Sequence, residues 1–327
     1  MTKEISLKGS NVMVTGGGGF IGSELSRQLR KRGANVLIYD NFLYGDVINI
    51  GEMAKDIEIA RGDVLSWKVY GSMKDHKIDY VFHLAAEPYI PHSYDNPEKF
   101  FDVNTKGTMN VLMACKTLDI SRVIIFSTSE VYGTAQRVPM DETHPTFPMS
   151  TYAVSKLAAD RTAFVFHHEH KIPVAIVRPF NCYGPRETQP YVIPEIISQL
   201  SRGRRVNLGN IKARRDLTFV GDTASAVIGV MESAMPNGEV VNIGSGTSYS
   251  IEELAHEIGK LMGHESIEIV IDKKRLRPLD VNVLQCDHSK LSKWTGWSPK
   301  TNLRDGLKAT IDWFNENGRS WSWEKLA

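Results

Sequence analysis

Short apolar runs alternate, through the first half of the chain, with stretches whose apolar residues recur every three or four positions. Residues 12–15, 35–39, 57–60, 80–84, 122–126 and 174–177 read as buried strands. Between them, residues 23–32 carry Leu25 and Leu29 at helical spacing. Residues 97–118 carry Phe101, Thr105, Thr108, Val111, Leu112 and Cys115 at the same steps. Ser150 or Thr151 can cap a further helix running to about residue 168. Strand and helix in alternation predict an α/β fold, a doubly wound parallel sheet covered on both faces. Beyond residue 180 the alternation loosens. Helices are expected at 192–202, 222–233, 251–262 and 303–317, with short strands at 206–208, 240–243 and 267–270. We therefore expect a larger domain at 1–180 and a smaller α/β lobe at 181–327, partly interleaved with the main sheet.

The first strand runs into Gly16-Gly17-Gly18-Gly19-Phe20-Ile21-Gly22, and a helix follows. Glycines at 16, 19 and 22 leave no Cβ between backbone and ligand. The open N–H groups and the dipole of the helix N-terminus together make an anion site. A tight strand–helix turn would need similar residues. The context favours the pyrophosphate of a dinucleotide, because the next strand ends in Asp40, about 20 residues on, where a carboxylate accepts from ribose hydroxyls. An acid there repels a 2′-phosphate, which favours NAD over NADP.

Composition narrows the field. With 39 basic and 38 acidic residues, the chain has no net field to attract nucleic acid or an anionic membrane. No apolar run approaches the 18 or so residues of a membrane span. Cys115, Cys182 and Cys286 are odd in number and far apart, matching neither a disulfide framework nor a zinc site. These features lead us to expect a cytoplasmic protein.

Tyr152 and Lys156 lie four apart near a helix start and face the same way. A phenol titrates near 10, so making it a base at neutral pH needs roughly 4 kcal/mol of differential stabilisation. The lysine ammonium and a cationic nicotinamide could supply it. Thr128, at a neighbouring strand tip, would hold a substrate hydroxyl. Tyr-x-x-x-Lys also arises by accident on helices, and only its company here gives it weight.

In order along the chain stand Thr15-Gly16-x-x-Gly19-x-Ile21-Gly22, Asp63-Val64, His83-Leu84-Ala85-Ala86, Asn104, Ser127 through Gly133, Tyr152-x-x-x-Lys156 and Arg178-Pro179-Phe180-Asn181-x-Tyr183-Gly184-Pro185. This order resembles the extended short-chain dehydrogenase/reductases, and within them the nucleotide-sugar epimerases and dehydratases. The resemblance covers nearly the whole chain. It implies a Rossmann domain with tightly held NAD, a C-terminal lobe for a nucleotide-diphosphate sugar, and a homodimer paired through helices 97–118 and 151–168. It further implies cofactor contacts at Gly16, Gly19, Phe20, Ile21, Gly22, Asp40, Asn41, Asp63, Val64, Leu84, Ala85, Ala86, Asn104, Tyr152 and Lys156.

For mechanism, the resemblance implies that Tyr152 takes the proton of the sugar C4 hydroxyl as NAD takes the C4 hydride. The resulting ketone acidifies C5–H. Glu130 occupies the place of the C5 base in similar 4,6-dehydratases, and Thr128 that of the hydroxyl holding O4. Many 4-epimerases have no acid there. A carboxylate capping the local turn is the structural alternative for Glu130. Glu87 is reminiscent of a substrate contact in some dehydratases. Ser129 departs from the aspartic acid that dehydratases of dTDP- or UDP-glucose often carry. The Thr-Ser-Glu form resembles GDP-mannose-type dehydratases and UDP-glucuronate decarboxylases, and the former usually prefer NADP. Arg215 and Arg277 resemble phosphate-binding arginines, with Asn181 a neutral donor beside them.

The expectation is thus an NAD-dependent 4,6-dehydratase of a UDP-, GDP- or dTDP-hexose. A UDP-hexose or UDP-hexuronate 4-epimerase comes second and a UDP-glucuronate decarboxylase third. From another class, a dinucleotide sensor without chemistry would have no use for Thr128, Tyr152 and Lys156 together. His167, His168 and His170 diverge by about 100° per residue on a helix, so no metal is expected. Trp313, Trp321 and Trp323 are expected to pack.

Overall fold

The apolar runs of the first half become six of the seven strands of one parallel sheet in the computed structural model, which describes residues 5–321 and 323. These are β1 (Asn11–Thr15), β2 (Asn35–Asp40), β3 (Glu58–Arg61), β4 (Tyr80–His83), β5 (Arg122–Phe126) and β6 (Val174–Pro179). Then come β7 (Asn181–Tyr183), β8 (Arg205–Leu208), β9 (Arg214–Phe219), β10 (Val240–Ile243), β11 (Ser248–Ser250) and β12 (Glu268–Ile271). The large sheet has the order β10-β6-β5-β4-β1-β2-β3, all parallel. Strand order reverses between β4 and β1, and the crevice at such a reversal is where ligands bind in open α/β sheets.

Both faces of the sheet are covered. On one, Leu25 and Leu29 of the helix Phe20–Lys31 and Ile228 and Met231 of the helix Val220–Glu232 pack against Val12, Val14 and Val177. On the other, Met73, Val111, Leu112 and Ala163 pack against Met13, Val123 and Ile125. A separate core joins Ile196, Leu200, Val206, Leu254, Ile258, Leu307, Phe314 and Trp321 in the lobe. The strand β10 and the helix Val220–Glu232 lie beyond residue 180 in the chain but belong to the large sheet and its cover.

Three differences from the sequence expectation have physical causes. The path at 97–118 is a helix from Pro97 to Thr117, but Phe101–Lys106 is wound as a π-helix. That winding turns Asn104 and Thr105 onto the helix Thr151–His170: Asn104 Nδ2 donates to Ser155 Oγ at 2.9 Å and Thr105 Oγ1 to the Ser155 carbonyl at 3.0 Å. Second, residues 181–183, 214–219 and 248–250 form a three-stranded sheet, β11-β9-β7, that the pattern does not announce because two of its strands are three residues long. Third, the helix Ser289–Thr295 fills a stretch left without structure. As expected, Ser150 caps the helix Thr151–His170 by accepting from Ala153 N at 3.1 Å. No described helix is long and apolar enough to cross a membrane.

One buried polar network fixes the helix that carries Tyr152 and Lys156. Arg178 of β6 grips Asp160 through two bonds of 2.9 and 3.1 Å and donates to the Tyr132 hydroxyl at 3.0 Å. Tyr132 in turn donates to Asn242 of β10 at 2.8 Å. Asp160 stands one turn beyond Lys156, so the helix carrying Tyr152 and Lys156 is pinned to two strands at once.

Candidate active site

A cavity of about 780 Å³ opens along the C-terminal tips of the sheet and continues into the lobe. At one end the glycine turn forms its floor. Gly16 has φ +73°, and a Cβ there would stand 2.8 Å from Ala85 N. A Cβ on Gly22 would come within 2.1 Å of the Gly16 carbonyl oxygen, so the turn closes this tightly only without side chains. Asp40 accepts from Gly18 N and from Phe42 N, each at 2.8 Å. Burial pushes its carboxyl above the ordinary carboxylate range, while these backbone N–H groups pull it back. Asp63 accepts from Leu65 N at 2.8 Å and from Asn41 Nδ2 at 3.1 Å. With Phe20, Ile21, Val64, Leu84 and Ala86 these residues line one continuous wall.

At the centre, β5 delivers Thr128 to the wall. Thr128 caps the short turn Ser129–Tyr132 by accepting from Glu130 N at 3.2 Å. The capping role that a structural carboxylate would fill is therefore already taken. No hydrogen bond or ion pair engages the Glu130 carboxylate among the described residues, although it is only 9% exposed and lines the cavity. Tyr152 faces the same space beside Thr128. Burial raises the Tyr152 phenol well above its ordinary value. The Thr128 hydroxyl opposes that shift and the Glu130 charge adds to it. Lys156 donates to the Phe126 carbonyl, and burial lowers its pKa to about 8.

Beneath them His83 is buried between two threonines. Thr108 donates its one hydrogen to the Asn104 carbonyl at 2.6 Å, so it accepts from His83 Nε2 at 3.0 Å. Nδ1 therefore accepts from the Thr15 hydroxyl at 2.7 Å. Burial, with the Lys156 charge, holds the ring neutral by lowering its pKa to about 3.

At the far end β9 carries Arg215, and the loop after β12 carries Arg277. Arg215 donates to the Val281 carbonyl at 2.7 Å and to Asp280 at 3.3 Å. Burial lowers its pKa, and the charges of Glu130, Asp280 and Arg277 all reach it. Two guanidiniums this near one another make a place for a multiply charged anion. Asn181 also lines the wall, and its buried Oδ1 has no partner among the described residues.

Not every expected residue reaches the cavity with a free side chain. Ser129 is buried behind the turn and does not line it. Asn104 does not line it either. Its amide holds Glu87 from both sides, accepting from Glu87 N at 2.8 Å and donating to the Glu87 carbonyl at 3.2 Å. Glu87 does line the wall, but its carboxylate is bound by Tyr44 and Lys99, each at 2.7 Å, which takes it away from the sugar contact expected of it. Sequence reasoning passed over Glu187 and Tyr191, on the loop after Gly184-Pro185. Glu187 is 1% exposed, and burial raises its carboxyl well above the ordinary value while the Gly184 N–H, donating to it at 3.3 Å, pulls it back. Its only signal was an acid close behind the Arg178–Pro185 motif. The histidines at 167, 168 and 170 serve the helix end: His167 donates to the Ile172 carbonyl at 2.7 Å, while His168 and His170 pack on Phe164 and Phe166.

A glycine-turn groove that shares one cavity with a Thr–Tyr–Lys set fits the extended short-chain dehydrogenase/reductase class. The chain belongs to the family described as GDP-mannose 4,6 dehydratase, whose model matches residues 13–310. Over 327 aligned residues it is 32% identical to the dTDP-glucose 4,6-dehydratase of Streptomyces niveus, covering 96% of this chain and 95% of that one. Among solved structures it is similar to UDP-N-acetylglucosamine 4-epimerase from Methanobrevibacter ruminantium, in complex with UDP-N-acetylmuramic acid (31% identity, TM-score 0.86, 95% and 99% of the two chains). It is also similar to DesIV, a dTDP-glucose 4,6-dehydratase from Streptomyces venezuelae with NAD and TYD bound (28% identity, TM-score 0.88, 95% and 99%). The relatives are thus split between dehydratases and epimerases.

Proposed function

We propose that this chain is an NAD-dependent 4,6-dehydratase of a nucleotide-diphosphate hexose. The observation that carries the reading is Glu130, a carboxylate on the cavity wall beside Thr128 and Tyr152 with no hydrogen-bond or ion-pair partner among the described residues. An enzyme that only inverts C4 needs no base at C5.

The glycine turn, Asp40 and Asn41 fit a dinucleotide, and the orphaned Asn181 oxygen suits a donor on a bound ligand. NAD held there would supply a reversible acceptor for a hydride from the sugar. Thr128 holds the C4 hydroxyl while Tyr152 takes its proton. Burial alone opposes a phenolate, so a cation beside Tyr152 is needed to favour it at neutral pH. Glu130 removes the C5 proton that the C4 ketone has acidified. Two protons therefore leave the sugar, from O4 and from C5. One departs with the C6 hydroxyl as water and the other returns to C5. With Ser129 behind the wall, Glu130 is the carboxyl placed to hand a proton to the departing hydroxyl. Arg215 and Arg277 would hold the diphosphate in the lobe from residue 181 onward.

For the assembly we propose a homodimer. Phe101, Met109, Met113, Val154 and Val165 stand exposed on the two helices expected to pair.

A panel of nucleotide sugars, read by product mass, tests the reaction. Loss of 18 Da (about one water,) is expected from the wild type. Glu130→Gln should lower dehydration about 100-fold or more while oxidation at C4 continues. Unchanged mass with altered retention, and turnover that survives Glu130→Gln, would instead establish the 4-epimerase reading that relatives such as the Methanobrevibacter ruminantium enzyme favour.

A further inference from the structure

Strand order places β1 between β4 and β2, so any bond joining the segments that follow β4 and β2 spans the tip of β1. The structure contains such a bond. Tyr44, four residues past β2, donates its hydroxyl hydrogen to Glu87 Oε2 at 2.7 Å. Glu87 stands four residues past β4 and is 3% exposed. Its other oxygen meets Lys99 Nζ at 2.7 Å. Lys99 also lies 3.5 Å from the Tyr44 hydroxyl and 5.4 Å from the centre of its ring. Beneath the bridge is the glycine turn that follows β1. The loop's other end is already fastened to that turn, since Asp46 N donates to the Gly18 carbonyl at 3.1 Å.

The support beneath Glu87 reaches the chemistry. Asn104 clamps the Glu87 backbone and donates to Ser155 Oγ at 2.9 Å, and Ser155 Oγ donates to the Tyr152 carbonyl at 2.8 Å. One line of hydrogen bonds thus connects the loop at 41–46 with the helix that presents Tyr152 and Lys156.

We infer that Glu87 is a positioning residue: with Tyr44 and Lys99 it bars the groove over the glycine turn, so that a bound dinucleotide stays in place from one turnover to the next. The inference rests on the proposal that NAD occupies this groove. A borrowed and returned hydride leaves the cofactor unchanged at the end of each cycle, so a site that releases it slowly loses nothing in rate. The bar explains what a buried acid gains by spending both oxygens on a tyrosine and a half-exposed lysine.

The test is the release rate of fluorescent etheno-NAD, chased with excess NAD, from the wild type and from Tyr44→Phe, Glu87→Gln and Lys99→Met. The melting temperature of each NAD-free protein is recorded alongside. Tyr44→Phe is expected to speed release about tenfold, as loss of a hydrogen bond to a charged group would. Lys99→Met, losing a partly solvated ion pair, should speed it about fivefold, and Lys99→Arg should restore it. The two single effects should not add in the double variant, because they share Glu87. Should Tyr44→Phe melt well below wild type, the half-exposed Lys99 decides the matter. Release within twofold of wild type in folded variants overturns the bar while leaving NAD binding intact. A wild type that binds no etheno-NAD overturns both this inference and the cofactor reading.

Discussion

The two ends of the cavity are built by different rules. At the glycine end each contact comes from a residue at or just past the tip of a strand, and most of the bonds that shape it run to backbone N–H groups: Gly18, Phe42 and Leu65. At the arginine end the wall is gathered from β9, the loop at 276–280 and the segment after β7, joined by side chains such as Arg215 with Asp280 and Asn210 with Asp280. The first end inherits its geometry from strand register, which moves only if the sheet moves. The second is held by charged groups that can be replaced one at a time. Changes at the strand tips should therefore act nearly all-or-none on chemistry, and changes in the lobe should act by degrees on affinity.

The sharpest way to break this contrast is Tyr152→Phe. Removing a positioned acid–base group costs about 10² to 10⁴ in rate, and we expect Tyr152→Phe to lose about 10³. Product mass and NAD content measured on the same sample separate chemistry from binding. Turnover within tenfold of wild type would show that the proton is handled elsewhere, with Glu187, the buried acid on the wall, the next group to test.

This contrast also governs what the sequence made legible. The glycine turn, Asp40, Thr128, Tyr152 and Lys156 could be read because each is fixed by local spacing on an element that periodicity identifies. Six of the seven strands of the large sheet followed from the same runs. Glu87 could be placed on the wall but not given its partners, since Tyr44 and Lys99 stand 43 and 12 positions away. Ser129 and Glu130 are adjacent in the chain, and only the tight turn after Thr128 decides which of them meets the cavity. Asn104 owes its direction to a π-helical segment that shifts the periodicity on which the reading depends. In the lobe, strands of three and four residues are too short to carry a pattern, so β7, β11 and the pairing of β8 with β12 became visible only through their partners.

A second prediction concerns Lys156 and gives the strand-tip end an energetic signature. Its pKa is about 8 in the folded protein against an ordinary 10.5, with burial the leading cause and the Asp160 charge opposing it. Between those two pH values the unfolded chain binds the additional proton, so raising pH favours the folded state. Below pH 8 the burial cost is present in full, and above 10.5 it is gone. The shift corresponds to on the order of 3 kcal/mol. Urea unfolding of NAD-free wild type and Lys156→Met across this range should show the wild type gaining about that much relative to the variant. A flat difference would mean that Lys156 is solvated in the absence of ligand and does not carry its burial cost into the site.

The smallest expected effect lies in the lobe. Arg215 is a poor probe there, because its guanidinium also supports Val281 and Asp280, and removing it would disturb the wall itself. Arg277 is half-buried, lines the cavity and has no carboxylate paired to it among the described residues, so Arg277→Ala removes a charge without leaving an acid stranded. If it meets the diphosphate, KM for the nucleotide sugar should rise about tenfold, the worth of one charge-assisted hydrogen bond partly open to water. The change in kcat should stay within about twofold, since the charge on the diphosphate is the same in ground and transition states. NAD content should match wild type. The increase in KM should also shrink as salt is raised, because screening weakens the wild-type contact and has nothing left to weaken in the variant. A variant that instead lost NAD, with sugar affinity intact, would reverse the assignment of the two ends and put the dinucleotide under the lobe.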